Sequence, residues 1–520
     1  MNVGALLSNN AVRVPTKCAI VEGEKKVSYR EINESVNRIA NGLLDLNIRK
    51  GDKASIYVNS PLKFAQLYFA LSKIGVLIVP INHNIKKREL VHIVSHSDSV
   101  VLFFDEETIK NVELSKMDMP GVNFFVFLGN GASGEYISYS DLLQKGDNQE
   151  PTTDFSMFDD HSICYTSGTT GLPKGVILTQ FNVVSCHYYV TSSEFGVTHD
   201  DVFLATTPLS QRIGWGKLVN SVALGCTLIA MPHFDAQEAM KIVERGKVTI
   251  LSIIPTIGRR ILELPNLKSY DTSSLKSLFV TGEAFSFELK KRLIETFPGV
   301  KIVTYFASTE AAIIASIRHE DILKKPTSVG HPLPGVEIRI VDHDDKDLSV
   351  DQAGEILTRC GGPGMITVMK EYYKNPEQTK EVLKDGWLYT GDVGKLDDEG
   401  YLYVVDRKKD MIISGGFNIY SREVEAILES NPKVKEVAVI GIPDAKFGEA
   451  VKAFVVLKPG ESATEEEIVE YCKANLASYK KPKYVEFVND LPRSLAGKLQ
   501  KYKLRQISQQ MFTESSGTNL

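Results

Sequence analysis

Tyr165-Thr-Ser-Gly-Thr-Thr-Gly-Leu-Pro-Lys-Gly-Val176 puts five hydroxyl residues, three glycines and one lysine into a dozen positions, directly after the run 162–165. Such a stretch reads as a strand running into a loop. Gly168 and Gly171 carry no Cβ, so the backbone N–H groups there are free to turn inward. Those amides, the hydroxyls of Thr166, Ser167, Thr169 and Thr170, and the Lys174 ammonium together form a nest suited to polyphosphate. The P-loop of ordinary NTPases is a different object. It needs Gly-Lys-Ser/Thr opening a helix, whereas here the order is Pro173-Lys174-Gly175.

Outward from this loop the chain alternates short β-rich runs with amphipathic helical patterns. Strands are expected at 54–58, 76–80, 100–104, 124–127, 249–254, 278–280 and 302–305, with helices at 64–72 and 235–245 among those between them. Ser28-Tyr-Arg-Glu31 has the form of a capping box opening a helix to about residue 46. Alternation of this kind implies parallel sheets covered by helices, an α/β class. Near residue 355 the texture changes. Asp397-Asp-Glu-Gly400 reads as a hairpin turn between strands, and Asp406-Arg-Lys-Lys-Asp410 as a charged hinge or border. Beyond it lies a small α+β unit, with helices at 422–429 and from 464, and strands at 436–441, 450–457 and 484–488. The expected division is 1–407, 408–510, and a frayed tail at 511–520.

The bulk numbers fit this plan. A chain of 520 residues exceeds one average core. Its 43% hydrophobic and 24% charged content is that of an ordinary globular protein. A net charge of −5 argues against a nucleic-acid partner. Six cysteines stand singly, with no C-x-x-C pair, which suits a reducing compartment and neither a disulfide framework nor a zinc site. The N-terminus lacks the pattern of a signal peptide. The apolar stretch 64–80 is broken by Gln66, Ser72, Lys73 and Gly75, so it reads as a buried helix and strand and not a membrane span. The cytoplasm is the expected compartment.

Three further segments carry chemistry. Phe306-Ala-Ser-Thr-Glu310 follows a strand with an aromatic, hydroxyls and a carboxylate in line. Tyr389-Thr-Gly-Asp392 ends a strand with a carboxylate, and Pro492-Arg-Ser-Leu-Ala-Gly-Lys498 presents a lysine on a loop. Each alone is an ordinary turn. In this order and spacing, together with the loop at 166–174, they resemble the adenylate-forming superfamily of acyl-CoA synthetases, peptide-synthetase adenylation domains and beetle luciferases. The resemblance covers nearly the whole chain.

It implies a large N-terminal domain and a small mobile C-terminal one. It also implies a reaction in which a carboxylic acid is joined to the α-phosphate of ATP and then passed to a thiol, with ATP, Mg and CoA as the cofactors. Thr166–Lys174 would then hold the β- and γ-phosphates, and Glu310 would ligate Mg. Thr309 would donate to the α-phosphate, beside Ala307 and Ser308, and Phe306 would lie against the adenine where the family more often has Tyr. Asp392 would accept the ribose hydroxyls and Arg407 would add a second contact. Lys498 would be the adenylation lysine and Lys409 the hinge, while Ser414, Gly415 and Gly416 would line a pantetheine tunnel.

Thr281-Gly-Glu-Ala-Phe285 (Gly282, Glu283 and Ala284 within it) and Trp215 would line the adenine and acyl pockets, with Trp215 and Phe285 limiting depth. His187 and Tyr188 read as packing residues. The family's Pro-Leu-x-His-x-x-Gly segment is here Pro208-Leu-Ser-Gln-Arg-Ile-Gly214, with Gln211 in place of His. Gln211 or Arg212 would then read a polar substrate tail, or else Arg212 forms a surface ion pair. The expected activity is a CoA ligase for a small-to-medium aliphatic or aromatic acid, as monomer or homodimer. A loader of carrier-protein pantetheine is the alternative. A nucleotide-binding scaffold without catalysis is disfavoured, because Lys174, Glu310, Asp392, Arg407 and Lys498 are all present.

Overall fold

The computed structural model describes residues 2–129, 135–166, 173–282, 285–493 and 499–516, the last seven of these by backbone alone. Two compact units are present. One comprises 1–337 with 358–388, the other 338–357 with 389–520.

The first unit is built on two sheets. In one, the strands Cys18–Glu22, Thr227–Ala230, Val202–Ala205, Ile250–Ile253, Ser277–Val280 and Lys301–Ser308 run parallel in that spatial order. Antiparallel strands close both edges. In the other, Leu77–Pro80, Lys53–Tyr57, Ser99–Phe104 and Phe124–Phe127 are parallel neighbours. The hairpin Asp160–Thr166 and Lys174–Thr179 extends that sheet beside Leu77–Pro80. The expected alternation of strand and helix is present. What it did not contain is the strand that returns after the phosphate loop, whose four central residues Gly175–Leu178 are buried on both faces and show no period-two signal.

The helix Pro61–Ile74 touches strands of both sheets and is buried almost all round. Ser60 caps it, Pro61 occupies its first turn, and Gly75 ends it in the left-handed region at φ 70°. Its one buried cation, Lys73, donates to Glu150, Asn33 and Asn37 at 2.7–2.9 Å. The helix Tyr29–Asp45 opens on the expected Ser28–Glu31 capping box. A helix at Val3–Arg13 was not anticipated, since Gly4, Asn9 and Asn10 are poor helix formers. Tertiary burial of Val3, Leu6 and Leu7 sustains it, together with the Asn10 amide donating to the Val222 carbonyl at 2.7 Å.

In the second unit, Gly354–Arg359, Trp387–Leu396 and Leu402–Arg407 share a sheet with Glu337–Val341. A further sheet orders Phe417–Ile419, Ile412–Ser414, Gly448–Leu457 and Val434–Asp444, with Tyr484–Phe487 parallel to Gly448–Leu457. The helices Ser421–Glu429 and Glu465–Asn475 pack with it around Ile412, Val424, Val439 and Ile468. The charged segment 406–410 lies inside this unit. Asp406 is buried and accepts from the Ser421 hydroxyl at 2.7 Å and the Arg422 amide at 3.4 Å, capping the Ser421–Glu429 helix. The final helix, Lys501–Ser516, includes six residues of the expected tail. Among the described residues no helix is long and apolar enough to cross a membrane.

Candidate active site

The antiparallel hairpin brings Thr166 and Lys174 opposite each other, so the Gly/Thr-rich loop is its tip. Ser167, Gly168, Thr169, Thr170 and Gly171 lie outside the described residues. The roots of the loop are held from one helix, Lys87–His96. His92 Nε2 donates to the Pro173 carbonyl at 3.1 Å, and His96 Nδ1 meets the Tyr165 hydroxyl at 2.7 Å. Burial, with the neighbouring His92 and Lys374, lowers the His96 pKa and keeps that imidazole neutral.

Lys174 lies 5.5 Å from the ring centre of Tyr372, and the Tyr372 hydroxyl donates to Glu310 Oε1 at 3.0 Å. One tyrosine thus gathers the loop lysine and the predicted metal-binding carboxylate. The strand Glu371–Tyr372 places it there by pairing with the second arm of the hairpin. Lys174, His96, Tyr372 and Asn375 line a cavity of about 180 Å³. No cation among the described residues pairs with Glu310. A carboxylate held by a neutral phenol is a fitting ligand for Mg, which binds through one or two carboxylates and substrate phosphates.

Phe306, Ala307 and Ser308 end the parallel strand Lys301–Ser308, and the chain turns through Thr309 and Glu310 into Ala312–Ile317. A register shift between Phe306 and Ala307 marks the turn. The Ser308 hydroxyl accepts from the Ala311 amide at 3.0 Å. Gly282 follows the adjacent parallel strand at φ 98°, against Ile213. Both segments therefore sit at the carboxyl ends of neighbouring strands, where open α/β sheets bind ligands. Glu283 and Ala284 are outside the described residues.

The Pro208–Gly214 segment opens the helix Arg212–Leu224. A Cβ on Gly214 would overlap the Pro208 carbonyl oxygen, which accounts for glycine there. Gln211 is the N-cap, without a side-chain cap bond. Among the described residues Arg212 has no carboxylate partner for the surface ion pair that was one reading of it. It turns inward, half-buried, its guanidinium 4.6 Å from the ring centre of the buried Trp215. Trp215 also meets Tyr68 at 5.8 Å and His187 at 5.4 Å. His187 is a buried packing residue, as expected, on a π-helical turn, Ser185–Val190. Its Nδ1 donates to Asn220 Oδ1 at 2.6 Å, and burial and then the Arg212 charge hold its pKa well down. Tyr188 packs edge-on against Tyr189. Phe285 packs with Ile213 on the core of Ile253, Ile254 and Leu289.

In the second unit Asp392 and Arg407 face each other across the antiparallel pair. Arg407 Nε is 2.7 Å from the buried Asp392 Oδ1. Lys409 is exposed in the one-turn 3₁₀ segment Lys408–Asp410, and its carbonyl accepts from Arg505 at 3.3 Å. Gly415 and Gly416, at φ 58° and 82°, form the two-residue turn between Ile412–Ser414 and Phe417–Ile419. Two consecutive left-handed residues are what such a tight hairpin needs. Lys498 lies outside the described residues. Its flanks are a bridge between Arg493 and Leu499 and the Gln500 amide on the Pro492 carbonyl at 2.8 Å. Tyr372 and the two histidines escaped the sequence reading, because strand pairing brings Tyr372 to the loop and packing of the helix Lys87–His96 brings His92 and His96.

Residues 7–373 match the AMP-binding enzyme family, and 423–498 match the AMP-binding enzyme C-terminal domain. The chain is similar to the long-chain-fatty-acid–CoA ligase FadD13 of Mycobacterium tuberculosis, 34% identical over 97% of this chain and 98% of that one. It is also similar to a 2-succinylbenzoate–CoA ligase of Bacillus cereus, 33% identical over 97% and 98%. Among solved structures, the anthranilate CoA ligase AuaEII in complex with anthranoyl-AMP superposes with a TM-score of 0.90 at 28% identity, over 99% and 98%.

Proposed function

The chain belongs to the AMP-binding enzyme family and is an AMP-forming acid–thiol ligase, and from that premise we propose that it joins a small-to-medium aliphatic or aromatic acid to CoA through an acyl-AMP. ATP, Mg and CoA are the cofactors of such ligases. In the first half-reaction a carboxylate oxygen attacks the α-phosphorus and pyrophosphate leaves. In the second the thiol sulfur attacks the acyl carbon, the thiol gives up its proton, and AMP departs with the former carboxylate oxygen.

The first step brings anions together, so it needs oriented positive charge and donors. In this reading Lys174 and the loop amides hold the β- and γ-phosphates, and Thr309 donates to the α-phosphate. Glu310, fixed by Tyr372, ligates Mg, which neutralises phosphate charge when bound. Phe306 and the 282–284 segment receive the adenine. Asp392 accepts the ribose hydroxyls, oriented by Arg407. Lys498 bridges the carboxylate and the α-phosphate as charge builds. A backbone rotation at Lys409 then exchanges Lys498 for the Ser414–Gly416 turn, beside which pantetheine passes.

The observation that carries this reading is Tyr372, which brings the phosphate-loop lysine and the metal-binding carboxylate onto one side chain. A second reading, transfer to a carrier protein's pantetheine, is favoured by exposed Ile413, Phe417 and Phe447 around the Gly415–Gly416 turn, a surface apt for a protein acceptor. Pyrophosphate release with a panel of carboxylic acids, each with and without CoA, decides. CoA-dependent turnover supports the ligase. Release that CoA does not accelerate supports the carrier-protein acceptor, and no release with any acid removes both.

A further inference from the structure

We infer that the acid this enzyme activates carries a second anionic group, a carboxylate remote from the reacting one, and that Arg212, with Lys217 behind it, holds that group. The inference rests on the ligase reading and deepens it.

The helix Arg212–Leu224 turns two cations into the interior of the first unit. The Arg212 guanidinium lies 4.6 Å from the Trp215 ring centre, with its Nη1 buried and unpartnered among the described residues. Lys217, 3% exposed, donates to the Tyr305 hydroxyl at 3.2 Å and sits 4.7 Å from the ring centre of Phe279. Neither meets a carboxylate among the described residues. Of the other buried ammoniums, Lys73 and Lys452 pair with Glu150 and Glu486 at 2.7 and 2.8 Å, and Lys290 donates to the Pro326 carbonyl at 3.0 Å. A charge turned inward without a counterion is costly, and the helix Arg212–Leu224 carries two, the half-buried Arg212 and the buried Lys217.

The surroundings are equally unsatisfied. Trp215 Nε1 and the Tyr68 hydroxyl are buried donors with no partner among the described residues, and the two ring centres lie 5.8 Å apart. Buried donors normally have partners, so donors grouped round a guanidinium point to one that comes from outside the chain. The Arg212 charge, added to burial, lowers the pKa of both His161 and His187, so the imidazoles stay neutral and need no counterion of their own. A carboxylate supplies what is missing: two acceptor oxygens for a planar guanidinium fork, and one negative charge. The Tyr68 and Trp215 groups left over can donate to the same oxygens. Gln211 in place of the usual His leaves Arg212 the only charged group of that segment.

The test compares dicarboxylic acids with monocarboxylic acids of matched length and shape, reading pyrophosphate release in the presence of CoA. The wild-type protein is expected to prefer a dicarboxylic acid by about tenfold or more in kcat/KM, as a site built around a charged partner rejects the analogue lacking it. Arg212→Ala should reduce that ratio by about tenfold, and Arg212→Lys should restore part of it. Equal kcat/KM for the two classes in the wild type, or a ratio that Arg212→Ala leaves unchanged, overturns the inference while the ligase reading stands. Release with no acid of either class removes the ligase reading and this inference together. Should Arg212→Ala fail to fold, the wild-type ratio alone decides: a preference for the dicarboxylic acid supports the inference, and parity overturns it.

Discussion

Tyr372 shows how a single hydroxyl organises the nucleotide end of the site. Its bond to Glu310 at 3.0 Å fixes a carboxylate that no cation among the described residues holds. Tyr372→Phe therefore keeps the ring beneath Lys174 and releases Glu310 alone. The expected result is a rise of about tenfold to a hundredfold in the Mg concentration for half-maximal pyrophosphate release, the cost of one hydrogen bond to a charged group. An unchanged Mg requirement would show that Glu310 is oriented by something else. Lys498→Ala acts at the same scale. Acyl-AMP formation should fall by about a hundredfold to a thousandfold, as for a lost oxyanion donor, whereas thioester formation from supplied acyl-AMP should persist. Lys174, Glu310, Asp392 and Arg407 could be singled out because the order of several motifs, each ordinary alone, resembles one family. Tyr372 was not, since its role depends on pairing between Tyr372 and Val176, almost two hundred positions apart.

Among the elements, the helix Pro61–Ile74 is the clearest case of a pattern read correctly with one partner set missing. Its apolar run and its breakers announced a buried helix. The fate of Lys73 was not visible, because its partners Asn33, Asn37 and Glu150 come from distant segments. Glu150→Ala leaves the ammonium with amides only and should lower the stability of the first unit by about 2 kcal/mol. Thermal unfolding of that unit checks it. The pair also sets a pH dependence. Burial pushes the Glu150 carboxyl up, but the bonds from Lys73 and Asn33 prevail and hold it below its ordinary 4.5. A carboxyl lowered in the folded state stabilises fully above its unfolded value, and that share is lost as pH falls through the folded value. Glu150→Gln should therefore flatten the acid limb of the stability profile below about pH 4.5. A limb of unchanged slope would assign the acid sensitivity to other carboxylates. The hairpin at 160–179 shows the opposite limit, since a strand buried on both faces has no alternation to read.

At the scale of the molecule, alternation of strands and helices gave the parallel sheets, their order in the chain and the small C-terminal α+β unit. The edge strands and the N-terminal helix Val3–Arg13 stayed hidden, because neighbours across the fold and not local propensity hold them. The segment 406–410 reads as a linker by its charges, yet Asp406 is committed to capping the Ser421–Glu429 helix. A run of charges does not say by itself which of them solvent claims. The proposed function rests on one chemical order of events, carboxylate to phosphorus first and thiol to carbonyl second. With an accepted acid labelled in both carboxylate oxygens by ¹⁸O, the AMP formed alongside acyl-CoA should carry one labelled oxygen, and pyrophosphate none. Unlabelled AMP, or ADP and phosphate as the products, would contradict an acyl-AMP intermediate and with it the proposed reaction.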